Sequence, residues 1–184
     1  MNLAEKIASA YLRLNGFLTI PHFNMFDGAQ HNHVDIVGLR AANSRELVGQ
    51  TIFPTDDLLF NELSDLFGRD ARSITVGIVA EARTNADRDE PSNHHSDYVR
   101  SFLGDVPLAR TAFYAGKHRI DWDGDVLDIG IKYAGLWIQK RIDWMNENEA
   151  LLSKNGSWYL SEDFLSDFLA LGRNGLLTAD RLEE

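Results

Sequence analysis

The sequence predicts an α/β domain with a mixed sheet, and two observations support this expectation. The first is an apolar stripe at helical spacing near the start of the chain, formed by Leu3, Ile7, Tyr11 and Leu14. The second is a series of short apolar runs, separated by turn-forming residues and by further stretches of helical periodicity. With 184 residues the chain is long enough to bury one sizeable core, so we expect a single domain.

Local signals set the expected bounds of the elements. The first helix, over 3–14, ends at Asn15-Gly16, and Pro21 marks the edge or the end of the strand that follows. Thr55-Asp56-Asp57 is typical of a helix N-terminus, and Gly68 supplies the matching stop. The remaining expected elements are strands over 17–23, 34–40, 74–82, 109–114 and 126–129, a strand within 47–53, helices over 56–67, 98–103, 137–152 and 161–171, and a polar loop over 84–96.

Composition limits the classes of function. The formal net charge of −10 disfavours nonspecific electrostatic binding to nucleic acid over a broad surface, although it is compatible with a local basic groove. Cysteine is absent, which excludes disulfides and thiolate metal sites and fits a reducing cytoplasm. No apolar run approaches the length of a membrane helix, so we expect a cytoplasmic protein without a membrane partner.

Two of the short apolar runs end in acidic residues. His33-Val34-Asp35-Ile36-Val37-Gly38 contains Asp35, and Val79-Ala80-Glu81-Ala82-Arg83-Thr84 contains Glu81. Because residues i and i+2 of a strand share a face, Glu81 and Arg83 are expected side by side, and Asp35 could join them from a neighbouring strand. Two converging carboxylates suit a hard divalent ion such as Mg²⁺, an arrangement typical of enzymes that cut phosphodiesters.

Three segments follow one another in an informative order. They are Glu5-Lys6-Ile7-Ala8-Ser9-Ala10-Tyr11-Leu12 with Gly16-Phe17, then Val34-Asp35-Ile36-Val37, then Glu81-Ala82-Arg83-Thr84. In this order they resemble the PD-(D/E)XK nuclease superfamily, and most closely its branch with Holliday-junction-resolvase-like domains. The resemblance covers the first half of the chain. It implies a restriction-endonuclease-like mixed sheet flanked by helices, with extra C-terminal helices.

The resemblance also implies an activity, namely Mg²⁺- or Mn²⁺-dependent hydrolysis of DNA phosphodiesters. Asp35 and Glu81 would ligate the metal, Glu5 would support it or ligate it, and Arg83 would stabilise charge on the transition state. The chain departs from the family pattern in two respects. Arg83 stands where lysine is expected, and 45 residues separate Asp35 from Glu81, so an element within 47–67 must be inserted.

The arginine leaves a second function open. A guanidinium stays charged and cannot act as a base, although it can neutralise charge on a phosphate. Arg83 could equally be an ion-pair partner that holds a disused site together. The alternative is therefore a nuclease-fold protein that has lost catalysis and works as a binding or regulatory module.

Two groups of histidines have competing interpretations. His31, His33 and Asp35 alternate along one predicted strand and share a face, which fits either a zinc site or polar surface. His94-His95 falls in the predicted polar loop, where the pair would be solvated or would serve as a general acid near a substrate.

The chain is expected to divide into a nuclease-like core over 1–135 and a helical extension over 136–184. Within the extension, Phe164, Leu165, Phe168 and Leu169 form an apolar stripe too large to stay exposed. We expect this stripe to dock on its own domain, or to contact a second copy of the chain or another protein partner.

Overall fold

The computed structural model of the chain describes residues 1–27, 30–44, 47–48, 51–52 and 54–147. None of the helices in these ranges is both long enough and apolar enough to cross a membrane. In chain order the elements are α1 (Leu3–Leu14), β1 (Leu18–Asp27), β2 (Gln30–Arg40), β3 (Leu47–Val48), β4 (Thr51–Ile52), α2 (Asp57–Phe67), β5 (Val76–Ala82), α3 (Asn93–Leu103), β6 (Leu108–Tyr114), β7 (Ile120–Asp123), β8 (Val126–Gly130) and α4 (Ile131–Glu147).

Six of the strands form one mixed sheet in the order β1-β2-β5-β6-β8-β7. β1, β2 and β5 are antiparallel neighbours, β5, β6 and β8 run parallel, and β7 pairs antiparallel with β8. The chain passes from β5 to β6 through α3, which supplies the long crossover that parallel neighbours need. The predicted α/β domain with a mixed sheet is therefore confirmed.

Helices cover both faces of the sheet, and each face has its own apolar cluster. The larger cluster joins α1, α2 and α4 to the strands and contains the buried Tyr11, Phe60 and Phe113. The smaller cluster lies under α3, where Val99 packs with Val79 of β5. β5 is buried at every position because both of its faces are covered, which explains its nearly continuous apolar run.

Asp56 joins three helices from inside the larger cluster. It is 4% exposed and caps α2 by accepting the Leu58 N–H at 3.1 Å. Its carboxylate also accepts the hydroxyl of Tyr11 on α1 at 2.5 Å and that of Tyr133 on α4 at 2.9 Å. Burial, and then the negative charge of Asp56, raise the pKa of both phenols well above the ordinary range.

Several bounds differ from the sequence-based expectations. α3 begins at Asn93 rather than at 98, because Ser92 caps it inside the stretch expected to be a loop. α4 begins at Ile131 rather than at 137, directly after β8. It therefore contains position 135, where the sequence divides the core from the extension, and Ala134 and Ile138 both pack in the larger cluster. The helix expected over 161–171 and its apolar stripe lie outside the described residues.

Tyr133→Phe tests the shared acceptor at Asp56. A hydrogen bond to a buried charged group contributes more than an ordinary one, so we expect a loss of about 1–2 kcal/mol in the free energy of unfolding. Asp56→Ala should cost more, because it leaves two phenols and a helix N-terminus without their acceptor. Urea denaturation measures both changes. Tyr98→Phe is the control, since its hydroxyl bonds the Phe26 N–H at an exposed position; equal losses for the two tyrosines would contradict the prediction.

Candidate metal centre

Asp35 and Glu81 lie side by side on the neighbouring strands β2 and β5. The register pairs Ile36 with Ala80, so Asp35 and Glu81 occupy the next position along these strands. They are 4% and 6% exposed. The Ala82 N–H donates to Oδ2 of Asp35 at 2.9 Å and fixes that side chain against β5. The two carboxyl groups that the sequence singled out are thus together in the fold.

The Glu81 carboxyl is held in its neutral form. Burial raises the pKa of Glu81 to about 9, and both the negative charge of Asp35 and a side-chain hydrogen bond with Asp35 add to the rise. At pH 7 Glu81 therefore keeps its proton beside the Asp35 carboxylate. Oε1 of Glu81 is buried without a hydrogen-bond partner. An orphaned buried oxygen beside a second carboxyl fits a divalent cation, which would stabilise both groups in their ionised forms.

Two histidines, His22 and His33, lie near Asp35. A ring nitrogen of His22 on β1, a ring nitrogen of His33 on β2 and an oxygen of Asp35 all lie within 4.8 Å of one another. Nε2 of His33 is 3.7 Å from Oδ1 of Asp35, and the two imidazole rings are 6.0 Å apart between centroids. Both histidines are exposed, whereas Asp35 is buried. The zinc interpretation of the sequence named His31, whose side chain lies outside the described part of the chain.

The backbone is irregular at this position of the sheet. His22 has φ 50°, in the left-handed region, while the pairs on either side of it, Pro21 with Ile36 and Phe23 with Val34, keep their register. Val34 and Ile36 should share a face, yet they pack in different apolar clusters. The regular alternation of side chains is therefore interrupted where His22 and Asp35 oppose each other.

Glu5 lies near the histidines rather than beside the carboxyl pair. Its carboxylate accepts the Asn2 N–H at 3.0 Å, which completes a capping box at the start of α1. Its Oε2 is 3.3 Å from Nε2 of His22. In the described structure no hydrogen bond or ion pair joins Glu5 to Asp35 or Glu81. Its connection to the site predicted from the sequence therefore runs through His22.

His95, which the sequence offered as a candidate general acid in a polar loop, is a neighbour of Glu81. It lies in the first turn of α3, with Nδ1 3.5 Å from Oε1 of Glu81 and Nε2 3.1 Å from the Asn32 amide nitrogen. Burial, followed by the positive charge of His94, lowers the pKa of His95, so its ring is neutral at pH 7 and can accept a proton. The spacing Ser92-x-x-His95 was the available signal, because it forms a capping box with histidine in place of glutamate.

Arg83 directly follows the last residue of β5. Its backbone N–H continues the pairing with β6 by donating to the Phe113 carbonyl at 2.8 Å. Its guanidinium is half exposed and bonds Asp89, with Nε 2.8 Å from Oδ2. The side-by-side placement of Glu81 and Arg83 stays a prediction: β5 ends at Ala82, Asp89 binds the guanidinium, and the charges of Glu81 and Arg83 still influence each other.

The site offers two kinds of ligand around Asp35. Carboxylate oxygens, from Asp35 and Glu81, suit Mg²⁺ or Mn²⁺. Imidazole nitrogens, from His22 and His33, suit transition metals such as Zn²⁺. Comparison of the chain with protein-family models, curated proteins and solved structures finds no match. The interpretation of the site therefore rests on its own geometry and chemistry.

Glu81→Gln should stabilise the protein increasingly as pH rises. The folded chain keeps the Glu81 proton up to about pH 9, whereas in the unfolded chain the pKa of this carboxyl is the ordinary glutamate value of 4.5. Ionisation therefore favours the unfolded chain throughout this window, and a glutamine removes that effect. We expect the variant to gain at least about 1 kcal/mol at pH 8.5, or about 2–4 °C in Tm, with the gap closing towards pH 5.

Thermal melts of both proteins across this pH range make the measurement. Glu147→Gln is the matched control, because the same chemical change falls on an exposed carboxyl of α4. If the difference in Tm between the variant and the unsubstituted protein were constant with pH, or if Glu147→Gln produced the same difference, Glu81 would not be held neutral by its surroundings.

Proposed function

We propose that the chain is a metal-dependent hydrolase of DNA phosphodiesters with a restriction-endonuclease-like fold. The observation that supports this most is the buried pair of Asp35 and Glu81, one of whose oxygens has no partner. Two carboxyl groups so close cannot both ionise without a cation, and the ionised pair is the kind of ligand set that Mg²⁺ or Mn²⁺ accepts. The sequence has no cysteine, which is compatible with a protein that acts in the reducing cytoplasm.

The arrangement of the strands supports the same assignment. The resemblance in the sequence implies a metal-binding aspartate on one strand and a Glu-x-Lys-Thr segment at the end of the next catalytic strand. Asp35 lies on β2, and Glu81 lies near the end of β5, which is hydrogen-bonded to β2. The inserted element expected within 47–67 corresponds to β3, β4 and α2.

The residues around the pair have definable roles in hydrolysis. A bound divalent cation supplies charge stabilisation and a more acidic water. Asp35, held by the Ala82 N–H, provides a fixed carboxylate oxygen, and Glu81 gives up its proton to become the second ligand. Neutral His95, 3.5 Å from Glu81, is placed to receive a proton. Arg83 can offer its fixed positive charge to a phosphate but cannot act as a base.

A second candidate function is favoured by the Arg83 ion pair. Because its guanidinium bonds Asp89, the position where the family pattern has lysine supplies no proton carrier to the site. A chain of this kind could keep the fold, and even the cation, while serving as a binding or regulatory module. Cation binding and DNA cleavage therefore need separate measurements.

The first measurement is cation binding. A ligand that binds only the folded chain stabilises it by about 2.7 kcal/mol at one hundred times its Kd, so Mg²⁺ or Mn²⁺ should raise Tm. Because Glu81 is protonated in the free protein, binding at pH 7 should also release a proton, seen calorimetrically as a dependence on buffer ionisation heat. Glu81→Gln should remove both effects. A melting curve that neither cation changes would exclude the proposed site.

The second measurement is cleavage of single-stranded, nicked and branched DNA with Mg²⁺ or Mn²⁺. We expect Asp35→Asn and Glu81→Gln to lower the rate at least about 100-fold, equivalent to about 2.7 kcal/mol of transition-state stabilisation. Glu147→Gln should leave the rate unchanged. Cleavage that survives Asp35→Asn would show that the site is wrong. Cation binding without cleavage would favour the binding module, and activity gained by Arg83→Lys would identify a decayed nuclease.

A further inference from the structure

We propose that His22, His33 and Asp35 form a separate site for a transition-metal ion, with Zn²⁺ as its simplest occupant. This inference deepens the proposed function, since Asp35 belongs to both ligand sets, but the metal can bind whether or not the chain cleaves DNA. Two imidazole nitrogens make this site selective for transition metals. The pair of Asp35 and Glu81 offers carboxylate oxygens alone.

The distances are close to those of a zinc site. Bond lengths of about 2.0–2.2 Å and tetrahedral angles place neighbouring ligand atoms about 3.4 Å apart. Nε2 of His33 already lies 3.7 Å from Oδ1 of Asp35, and the three ligand atoms lie within 4.8 Å of one another. Both imidazoles are exposed, so rotation of their side chains can close the remaining gap without a change in the fold.

Asp35 is prepared to take part in both sites. Its Oδ2 accepts the Ala82 N–H, which anchors the carboxylate against β5. Its Oδ1 is the oxygen that approaches His33, at 3.7 Å from Nε2.

The backbone at His22 gives an independent reason to look for a ligand. A non-glycine residue in the left-handed region is strained and persists only where its surroundings impose that conformation. Here the strain falls on one residue of β1, opposite Asp35, while the ladder continues on both sides. The effect is to interrupt the alternation of side chains at the one position where His22 meets Asp35.

Glu5 acquires a role as a positioning residue in this arrangement. Its own carboxylate is fixed by the capping box of α1, and it lies 3.3 Å from Nε2 of His22. Histidines that bind metals commonly donate one ring N–H to a carboxylate, which orients the ring and makes the other nitrogen a better ligand. Glu5 can accept this hydrogen bond from His22. The residue that the sequence predicted to support the metal would therefore do so by orienting His22.

The test uses the full chain with Zn²⁺ alone as the probe. Calorimetry should give one Zn²⁺ per chain, and X-ray absorption at the zinc edge should show the scattering of two imidazole rings. His22→Asn and His33→Asn should each weaken binding at least about 10-fold, as loss of a ligand requires. Asparagine is chosen at position 22 because it tolerates the left-handed backbone, which keeps the variant folded.

Matched variants separate this inference from the proposed function. His118→Asn, at an exposed histidine outside the group, should leave Zn²⁺ affinity unchanged. Asp35→Asn should abolish it. The absence of Zn²⁺ binding, an oxygen-only coordination shell, or unchanged affinity in both histidine variants would overturn the inference even if Mg²⁺ supports cleavage. Zn²⁺ held by two imidazoles would uphold it even if no DNA is cut.

Discussion

Two carboxyl groups that lie next to each other inside a sheet repel each other when both are ionised, so the surrounding structure must reduce this repulsion. Two features reduce it here: Glu81 is protonated, and the Ala82 N–H donates a hydrogen bond to Asp35. Both features depend on the antiparallel register of β2 and β5, which sets the two residues opposite each other. The same register places α3 so that His95 reaches Glu81. The chemistry of the site is therefore a consequence of how these two strands pair.

Other buried acids in the fold are satisfied by protein groups. Asp128 lies in the same row of the sheet, two strands beyond Glu81, and is 1% exposed. It accepts hydrogen bonds from the Arg88 guanidinium and the Tyr114 hydroxyl, both at 2.9 Å. Asp56 is likewise surrounded by donors. The chain can thus neutralise a buried carboxylate with its own side chains, and the orphaned oxygen of Glu81 is the exception that a cation would explain.

The parts of this structure that the sequence predicted are those encoded by local patterns. The helix over 3–14 has the predicted bounds, and the short runs that contain Asp35 and Glu81 form neighbouring strands, as runs rich in β-branched residues commonly do. His22 could not be predicted as a partner of Asp35, since their proximity depends on the long-range pairing of β1 with β2 and on a left-handed residue. His95 was a candidate, but its place beside Glu81 was not predicted because the polar stretch around it concealed a helix start.

Arg88 and Arg83 differ in how readily each could exchange its carboxylate partner for a phosphate. Arg88 pairs with Asp128, so moving it to a substrate would leave a buried carboxylate with only the Tyr114 hydroxyl and no cation, which is unfavourable. Arg83 bonds Asp89, and both side chains are substantially exposed at 50% and 41%. An exposed ion pair contributes little net stability, so exchanging the Asp89 carboxylate for a phosphate oxygen costs little. In an acidic protein, Arg83 and a cation at the proposed site would offer positive charge to a polyanionic substrate, and the Asp89 ion pair does not exclude Arg83 from the proposed reaction.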